Sequence, residues 1–292
     1  MQSESVQLRR SILFMPASNE RALAKGRTLA ADALVFDLED AVAPEQKSAA
    51  RDNAVTAAAT GEYGHREIIL RVNDPASEWG LADLQAAASG SFAGVMLPKV
   101  ESGKTIREAR AALIRANSQA ALPLWIMVET PRGVLALDDI LGAATAEPGS
   151  GPLVVGTTDL ASALGVSPLG DRRGLQHALG QCVLAARAHG LDIIDGVYLT
   201  LRDESGFAAT CAQGRELGFT GKSLIHPSQI AAANAAFGVS ESEAEQAREI
   251  IAAWEAARAE GSGLAVVSGQ LVEVMHVDNA RRTLLRYAAA NN

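Results

Sequence analysis

The chain has 292 residues, 48% of them hydrophobic and 21% charged, and a formal net charge of -8. This is a globular composition, long enough for one α/β barrel of about 250 residues. The acidic balance argues against a protein that lies on nucleic-acid phosphates, whose footprint is a basic face, but it leaves room for one local basic pocket.

Apolar, strand-like runs fall at 11–15, 33–36, 67–72, 94–97, 124–128, 153–155, 192–199 and 221–225. Ala-, Arg- and Glu-rich segments with helical periodicity, such as 19–31, 44–59 and 175–189, lie between them. Strand and helix alternate eight times, the pattern of a parallel sheet. Eight such units predict a closed (β/α)8 TIM barrel over residues 1–235. An open dinucleotide-binding sheet would need GxGxxG after its first strand. Met15-Pro16-Ala17-Ser18-Asn19 stands there instead, and no GxxxxGK[ST] occurs.

Residues 236–292 read as a helix-hairpin-helix extension: a charged helix over 241–260, a hairpin of 264–267 and 270–274, and a final helix over 277–290. It is too short to build a core of its own and is expected to pack on the barrel or on a neighbouring subunit. Cys182 and Cys211 sit in helical patterns without CxxC spacing, as small buried hydrophobes would. No run is apolar enough for a membrane span or signal peptide, so a cytoplasmic protein is expected, with no membrane or nucleic-acid partner.

The informative polar residues fall where inferred strands end: Asp37, Glu39 and Asp40; Arg71 and Asn73; Lys99; Glu129; Asp159; Asp195; His226. In a barrel those ends make one face, where loops build the active site. Each residue alone reads as a cap or a surface ion pair; together they predict a shared pocket. Glu129 and Asp159 follow the fifth and sixth runs, and two oxygen donors without His or Cys suit Mg2+, or Mn2+, completed by water and a chelating ligand. Arg71 suits a carboxylate or a developing enolate oxygen. Gly156, Thr157 and Thr158 either bring backbone N–H groups to an anionic ligand or form a plain turn.

Six segments stand in order: Arg10-Ser11-Ile12-Leu13-Phe14-Met15-Pro16, Phe36-Asp37-Leu38-Glu39-Asp40-Ala41-Val42, Arg71-Val72-Asn73, Leu97-Pro98-Lys99-Val100-Glu101-Ser102, Glu129-Thr130-Pro131-Arg132-Gly133 and Ile225-His226-Pro227-Ser228-Gln229-Ile230. Together they resemble the citrate lyase β-subunit-like family of the HpcH/HpaI aldolase superfamily, with malyl-CoA and citramalyl-CoA lyases among its members. The resemblance implies a Mg2+-dependent carbon–carbon lyase, often a homotrimer, that cleaves a 3-hydroxyacyl-CoA to a 2-oxoacid and acetyl-CoA by retro-Claisen chemistry. Glu129 and Asp159 then become the metal ligands, and Arg71 the substrate-oxygen contact. Glu39 and Asp40 join it in the catalytic group. Phe14, Pro16, Asn19, Arg21, Lys25, Lys99, Ile225, His226 and Pro227 become the CoA-binding edge.

Two departures matter. Ala17 stands where the family has Gly, and Leu271-Val272-Glu273 replaces a Met-(Ile/Val)-Asp segment whose acid reaches a neighbour's active site. Glu273 and Asp40 are the two candidate general bases. Thioester hydrolysis, a citryl-type lyase subunit, and a non-catalytic subunit of a larger complex remain the alternatives.

Overall fold

The computed structural model describes residues 6–116 and 122–291. Eight parallel strands follow one another around a closed barrel, the last pairing with the first. They are β1 (Ser11–Pro16), β2 (Ala33–Asp37), β3 (Glu67–Arg71), β4 (Gly94–Leu97), β5 (Leu124–Val128), β6 (Ser150–Val155), β7 (Ile193–Asp195) and β8 (Gly221–Leu224). Around them run α1 (Glu20–Gly26), α2 (Lys47–Ala59), α3 (Gly80–Ser89), α4 (Gly103–Arg115), α5 (Pro131–Leu135), α6 (Leu137–Thr145), α7 (Thr157–Leu164), α8 (Gln176–Ala188), α9 (Glu204–Leu217) and α10 (Ile230–Phe237). The expected (β/α)8 TIM barrel is the observed fold.

Side chains alternate across a strand, so each barrel strand sends every second residue inward. Ile12, Ala33, Val35, Ile69, Met96, Trp125, Met127, Val154 and Ile194 pack together inside, with Phe14 against them. The amino-terminal end is tied by two Arg–carboxylate forks. Arg9 donates to Glu67 at 2.6 and 2.8 Å, and Arg10 to Asp32 at 2.8 and 2.7 Å. The Arg9 guanidinium also lies 5.2 Å from the ring centre of buried Trp125.

Two elements are shorter than their sequence patterns. The run at 192–199 yields only Ile193–Asp195, because the chain leaves the sheet at Gly196, whose carbonyl accepts from Lys222 Nζ at 2.7 Å. The helix expected over 19–31 ends at Gly26. The N–H groups of Thr28 and Leu29 bond only three residues back as the chain turns toward β2. Cys182 and Cys211 are free and buried, as expected.

The chain divides into two compact units. One is Arg9–Ala236; the other holds residues 237–291 with residues 6–8. The second unit contains α11 (Glu241–Ala259), the hairpin strands β9 (Ala265–Val267) and β10 (Gln270–Val272), and α12 (Val274–Asn291). Ser240 starts α11 with a reciprocal capping box to Glu243. Ser268 and Gly269 turn the hairpin at φ 51° and 78°, the two positive angles a tight two-residue turn needs. Trp254, Ala265, Val272 and Val277 bury one another with Ile250 and Ile251 packed around them. The extension thus has a small apolar cluster of its own, where its length alone suggests none. Among the described residues no helix is long and apolar enough to cross a membrane.

Candidate active site

A cavity of about 410 Å³ opens at the carboxyl ends of the barrel strands. Phe14, Met15, Met127, Val155, Val197, Leu199 and Ile225 supply apolar lining; Asp37, Asp40, Arg71, Glu129, Thr157, Thr158, Asp159 and Ser223 supply polar groups.

Arg71 ends β3 on the inward face, two residues after Ile69. Its Nε and Nη2 donate to the two oxygens of buried Asp37 at 2.7 and 2.6 Å, and its Nη1 lies 3.0 Å from Glu39 Oε2. The guanidinium stands 5.1 Å from the centre of the Phe14 ring. Burial alone would weaken its protonation, but Asp37 first, then Glu39 and Asp40, raise its pKa above the ordinary value. Asp37 also accepts from the N–H groups of Glu39 and Ala41, so the loop after β2 folds around the same carboxylate. Lys47 Nζ fixes that loop from behind through the carbonyls of Leu38 and Glu39, both at 2.8 Å. The sequence marks Asp37 only as a strand-end acid. Its even spacing from inward-facing Ala33 and Val35 is the signal that puts it beside Arg71.

Lys99 follows β4 in the left-handed region, φ 48°, a strained conformation for a residue with a side chain. That backbone aims its N–H at Glu129 Oε1, 2.9 Å away, while its ammonium lies 2.5 Å from Glu39 and 3.4 Å from Asp40. Burial pushes the Glu39 carboxyl up against the pull of Arg71 and Lys99. Asp40 feels the same burial less than it feels its bonds and cations, so its carboxyl is held below the ordinary value.

Glu129 follows β5 on the inward face and is only 3% exposed. Burial first, then the negative charges of Asp159 and Glu39, push its pKa up to about 7 against the pull of Arg71. Asp159 lies in the first turn of α7. Gly156 is required between them: a Cβ there would stand 2.3 Å from Glu129 Oε2. Among the described residues neither Glu129 Oε2 nor either Asp159 oxygen is in a hydrogen bond or a close ion pair; Arg71 acts on Glu129 only through space.

Among those residues no three His, Cys, Asp or Glu side chains gather to enclose a metal alone. Two hard oxygen donors, in a cavity wide enough for water and a ligand, instead fit Mg2+, which keeps waters and takes one or two carboxylates. After burial, the negative charges of Asp159 and Glu39 raise the Glu129 pKa, and that part of the imbalance is what a cation would relieve.

The other expected residues are spread more widely. Phe14, Pro16 and Ile225 line the cavity with Gly156, Thr157 and Thr158. Asn19 caps α1 through Ala22 N, and Arg21 and Lys25 are exposed on that helix without a partner among the described residues. His226 is exposed, its Nδ1 2.8 Å from Ser228 Oγ, and Pro227 opens a short 3-10 turn. Glu273 belongs to the second unit, exposed just ahead of α12. Neither Asn73 nor Asp195 lines the cavity. Asn73 donates to buried Asp83 at 2.6 Å, and Asp195 pairs with Lys222 and Arg172. Ser223 also lines the cavity; it carries no strand-end charge to mark it, and its one signal is its even spacing of two residues before Ile225.

Residues 10–227 match the HpcH/HpaI aldolase/citrate lyase family. The chain belongs to that family. A (3S)-malyl-CoA thioesterase of Cereibacter sphaeroides (strain KD131 / KCTC 12085) is 49% identical over 280 residues, 96% of this chain and 95% of that one. The citrate lyase subunit β of Escherichia coli (strain K12) is 32% identical over 291 residues, covering 98% and 95%. Protein CitE of Mycobacterium tuberculosis, solved with magnesium, acetoacetate and coenzyme A, superposes with a TM-score of 0.75 at 29% identity, covering 95% and 97%. This family member thus shares its fold with a protein that binds magnesium and CoA, and its named relatives include both a thioesterase and a lyase subunit.

Proposed function

We propose that the chain is a magnesium-dependent enzyme acting on a malyl-type 3-hydroxyacyl-CoA thioester, and that it releases CoA by hydrolysis. One observation carries the reading: a mainly apolar cavity holds two carboxylates outside any close ion pair, Glu129 and Asp159, together with one buried, immobilised cation, Arg71. The relative at 49% identity supports hydrolysis over other fates of the thioester.

Glu129 and Asp159 are the residues that would hold Mg2+, or Mn2+, which when bound supplies a Lewis acid for the acyl oxygens. Arg71, fixed by Asp37, presents positive charge to the thioester oxygen, which turns negative only as the reaction proceeds. Asp40 lines the cavity and is held ionised, so it can take a proton from the attacking water. The water oxygen bonds to the acyl carbon, the carbon–sulfur bond breaks, and the CoA thiolate leaves and takes up the proton. Gly156, Thr157 and Thr158 bound the acyl end. Phe14, Pro16 and Ile225 give the apolar rim, and Asn19, Arg21, Lys25, Lys99, His226 and Pro227 the edge toward CoA, with Arg21 and Lys25 suited to a phosphate.

Carbon–carbon cleavage is the second reading, favoured by the citrate lyase subunit β relative. The same site would take the proton from the substrate hydroxyl, break the carbon–carbon bond to a 2-oxoacid, and leave an acetyl-CoA enolate beside Arg71. The base is then Asp40 or, in a homotrimer, Glu273 of a neighbouring copy. The deciding assay gives the purified chain malyl-CoA with Mg2+ or with chelator. Free CoA and malate are expected. Glyoxylate with acetyl-CoA would move the assignment to the lyase, and turnover that survives chelation would remove the metal.

A further inference from the structure

Ser223 Oγ is a buried polar atom with no partner. Its residue is 2% exposed, it lines the cavity, and its hydroxyl has no hydrogen bond among the described residues. A desolvated hydroxyl without a partner is unfavourable, so an orphan that borders a ligand cavity points to the ligand as its partner. Other buried orphans exist on Arg27, Arg110, Trp125, Arg172 and Asn234, but none of those residues lines this cavity.

Register says where the hydroxyl stands. β8 pairs with β1, Ser223 opposite Ile12, and Ile12 is followed on the same inward face by Phe14. The Phe14 ring is the one that Arg71 covers at 5.1 Å. The orphan hydroxyl therefore stands beside β1, the strand whose Phe14 ring the Arg71 guanidinium covers from β3. The carboxylates Glu129 and Asp159 come from β5 and α7.

We infer that Ser223 is a second hydrogen-bond donor to the thioester oxygen of the bound acyl-CoA, acting with Arg71 as an oxyanion site; this rests on reading the cavity as the acyl pocket. The substrate hydroxyl and carboxylate are the oxygens a cation at Glu129 and Asp159 would claim. The thioester oxygen is the one left. Charge develops on it both in hydrolysis, as the tetrahedral oxyanion, and in carbon–carbon cleavage, as the enolate, so the role does not depend on which reaction follows.

The test uses the full-length chain with Ser223→Ala and Ser223→Thr. With malyl-CoA, Ser223→Ala should lower kcat by roughly tenfold to a hundredfold while KM changes less, and Ser223→Thr should recover most of the loss. In equilibrium binding, Ser223→Ala should weaken the thioester by about tenfold or less, and leave unchanged a thioether analogue with CH2 in place of the carbonyl. The melting temperature of the ligand-free variant should stay level or rise, because an orphan hydroxyl has been removed. A clear fall in melting temperature would reveal a structural partner and overturn the inference. Unchanged kcat, or equal weakening of thioester and thioether, would overturn it too, the latter by assigning the hydroxyl to a held water. If wild-type protein neither binds nor turns over malyl-CoA, the functional reading fails and this inference with it.

Discussion

Asp195 and Glu129 are both buried carboxylates that end barrel strands, yet their surroundings differ in the way that separates scaffold from site. Asp195 is fully enclosed and answered on every side. Lys222 Nζ donates to it at 2.7 Å, Arg172 Nη1 at 2.7 and 3.0 Å, and Gly196 N at 2.8 Å. Lys222 stands opposite it in the β7–β8 register; Lys222 Nζ also donates to the Gly196 carbonyl and Arg172 Nε to Gln213, while Arg172 Nη2 is buried without a partner among the described residues. Burial alone would raise the Asp195 carboxyl, but Lys222 and Arg172 outweigh it and hold the pKa below the ordinary value. At Glu129 the balance reverses. Burial first, then the negative charges of Asp159 and Glu39, outweigh the pull of Arg71 and of the Lys99 N–H, and the carboxyl is pushed up to about 7. A buried carboxylate already met by two cations needs no metal; an oversupply of carboxylates in a cavity is a place for a cation.

Variants should pull the two clusters apart. Glu129→Ala and Asp159→Ala should cost several kcal/mol of transition-state stabilisation, at least ~10³-fold in kcat/KM, with melting temperature unchanged or raised. Full activity in chelator from either variant would remove the metal site. Glu273→Gln should lower kcat by about 10²-fold if carbon–carbon cleavage occurs with Glu273 as its base, and leave hydrolysis unaffected if Asp40 takes the proton. Steady-state kinetics of that variant distinguish the two.

Lys222→Met should act the other way round. It leaves Asp195 short of a partner in the interior, and should lower stability by about 3–5 kcal/mol in urea titrations while each folded molecule keeps its metal affinity. The sign of its pH dependence follows from the depressed folded-state pKa of Asp195. The stabilisation is fully present above the unfolded-state value of about 3.9, and is lost as pH falls through the lower folded-state value. Lys222→Met should therefore move acid unfolding to higher pH, and an unmoved midpoint would show that Arg172 alone suffices. Smallest of all, Arg21→Ala with Lys25→Ala should raise KM for the thioester a few-fold at low salt, with kcat intact, and the difference should fade at high salt. An equal rise at all salt concentrations would speak against a phosphate contact.

Much of the barrel is legible in the sequence because buried parallel strands are continuous apolar runs, and eight of them recur with helices between. The carboxylates of the candidate site are legible for the same reason: a charge that ends such a run has to be answered. What strand ends alone do not convey is face. Asp195 follows inward-facing Ile194 by one residue and so points away from the barrel interior, whereas Glu129 follows inward-facing Met127 by two. The same parity separates Ser223, which lines the cavity, from its neighbour Lys222, which does not. Asn73 fails for another reason: it lies beyond β3, where Asp83 of α3 captures both its backbone and its side-chain N–H. No local pattern announces that capture.

The most direct measurement is Mn2+ binding followed by electron paramagnetic resonance, on wild-type chain, Asp159→Ala and Lys222→Met, with Mg2+ as competitor. The account predicts one competable site in wild-type and Lys222→Met protein, lost in Asp159→Ala while that variant stays folded. Binding that survives in Asp159→Ala, or no binding in the wild-type chain, would contradict it.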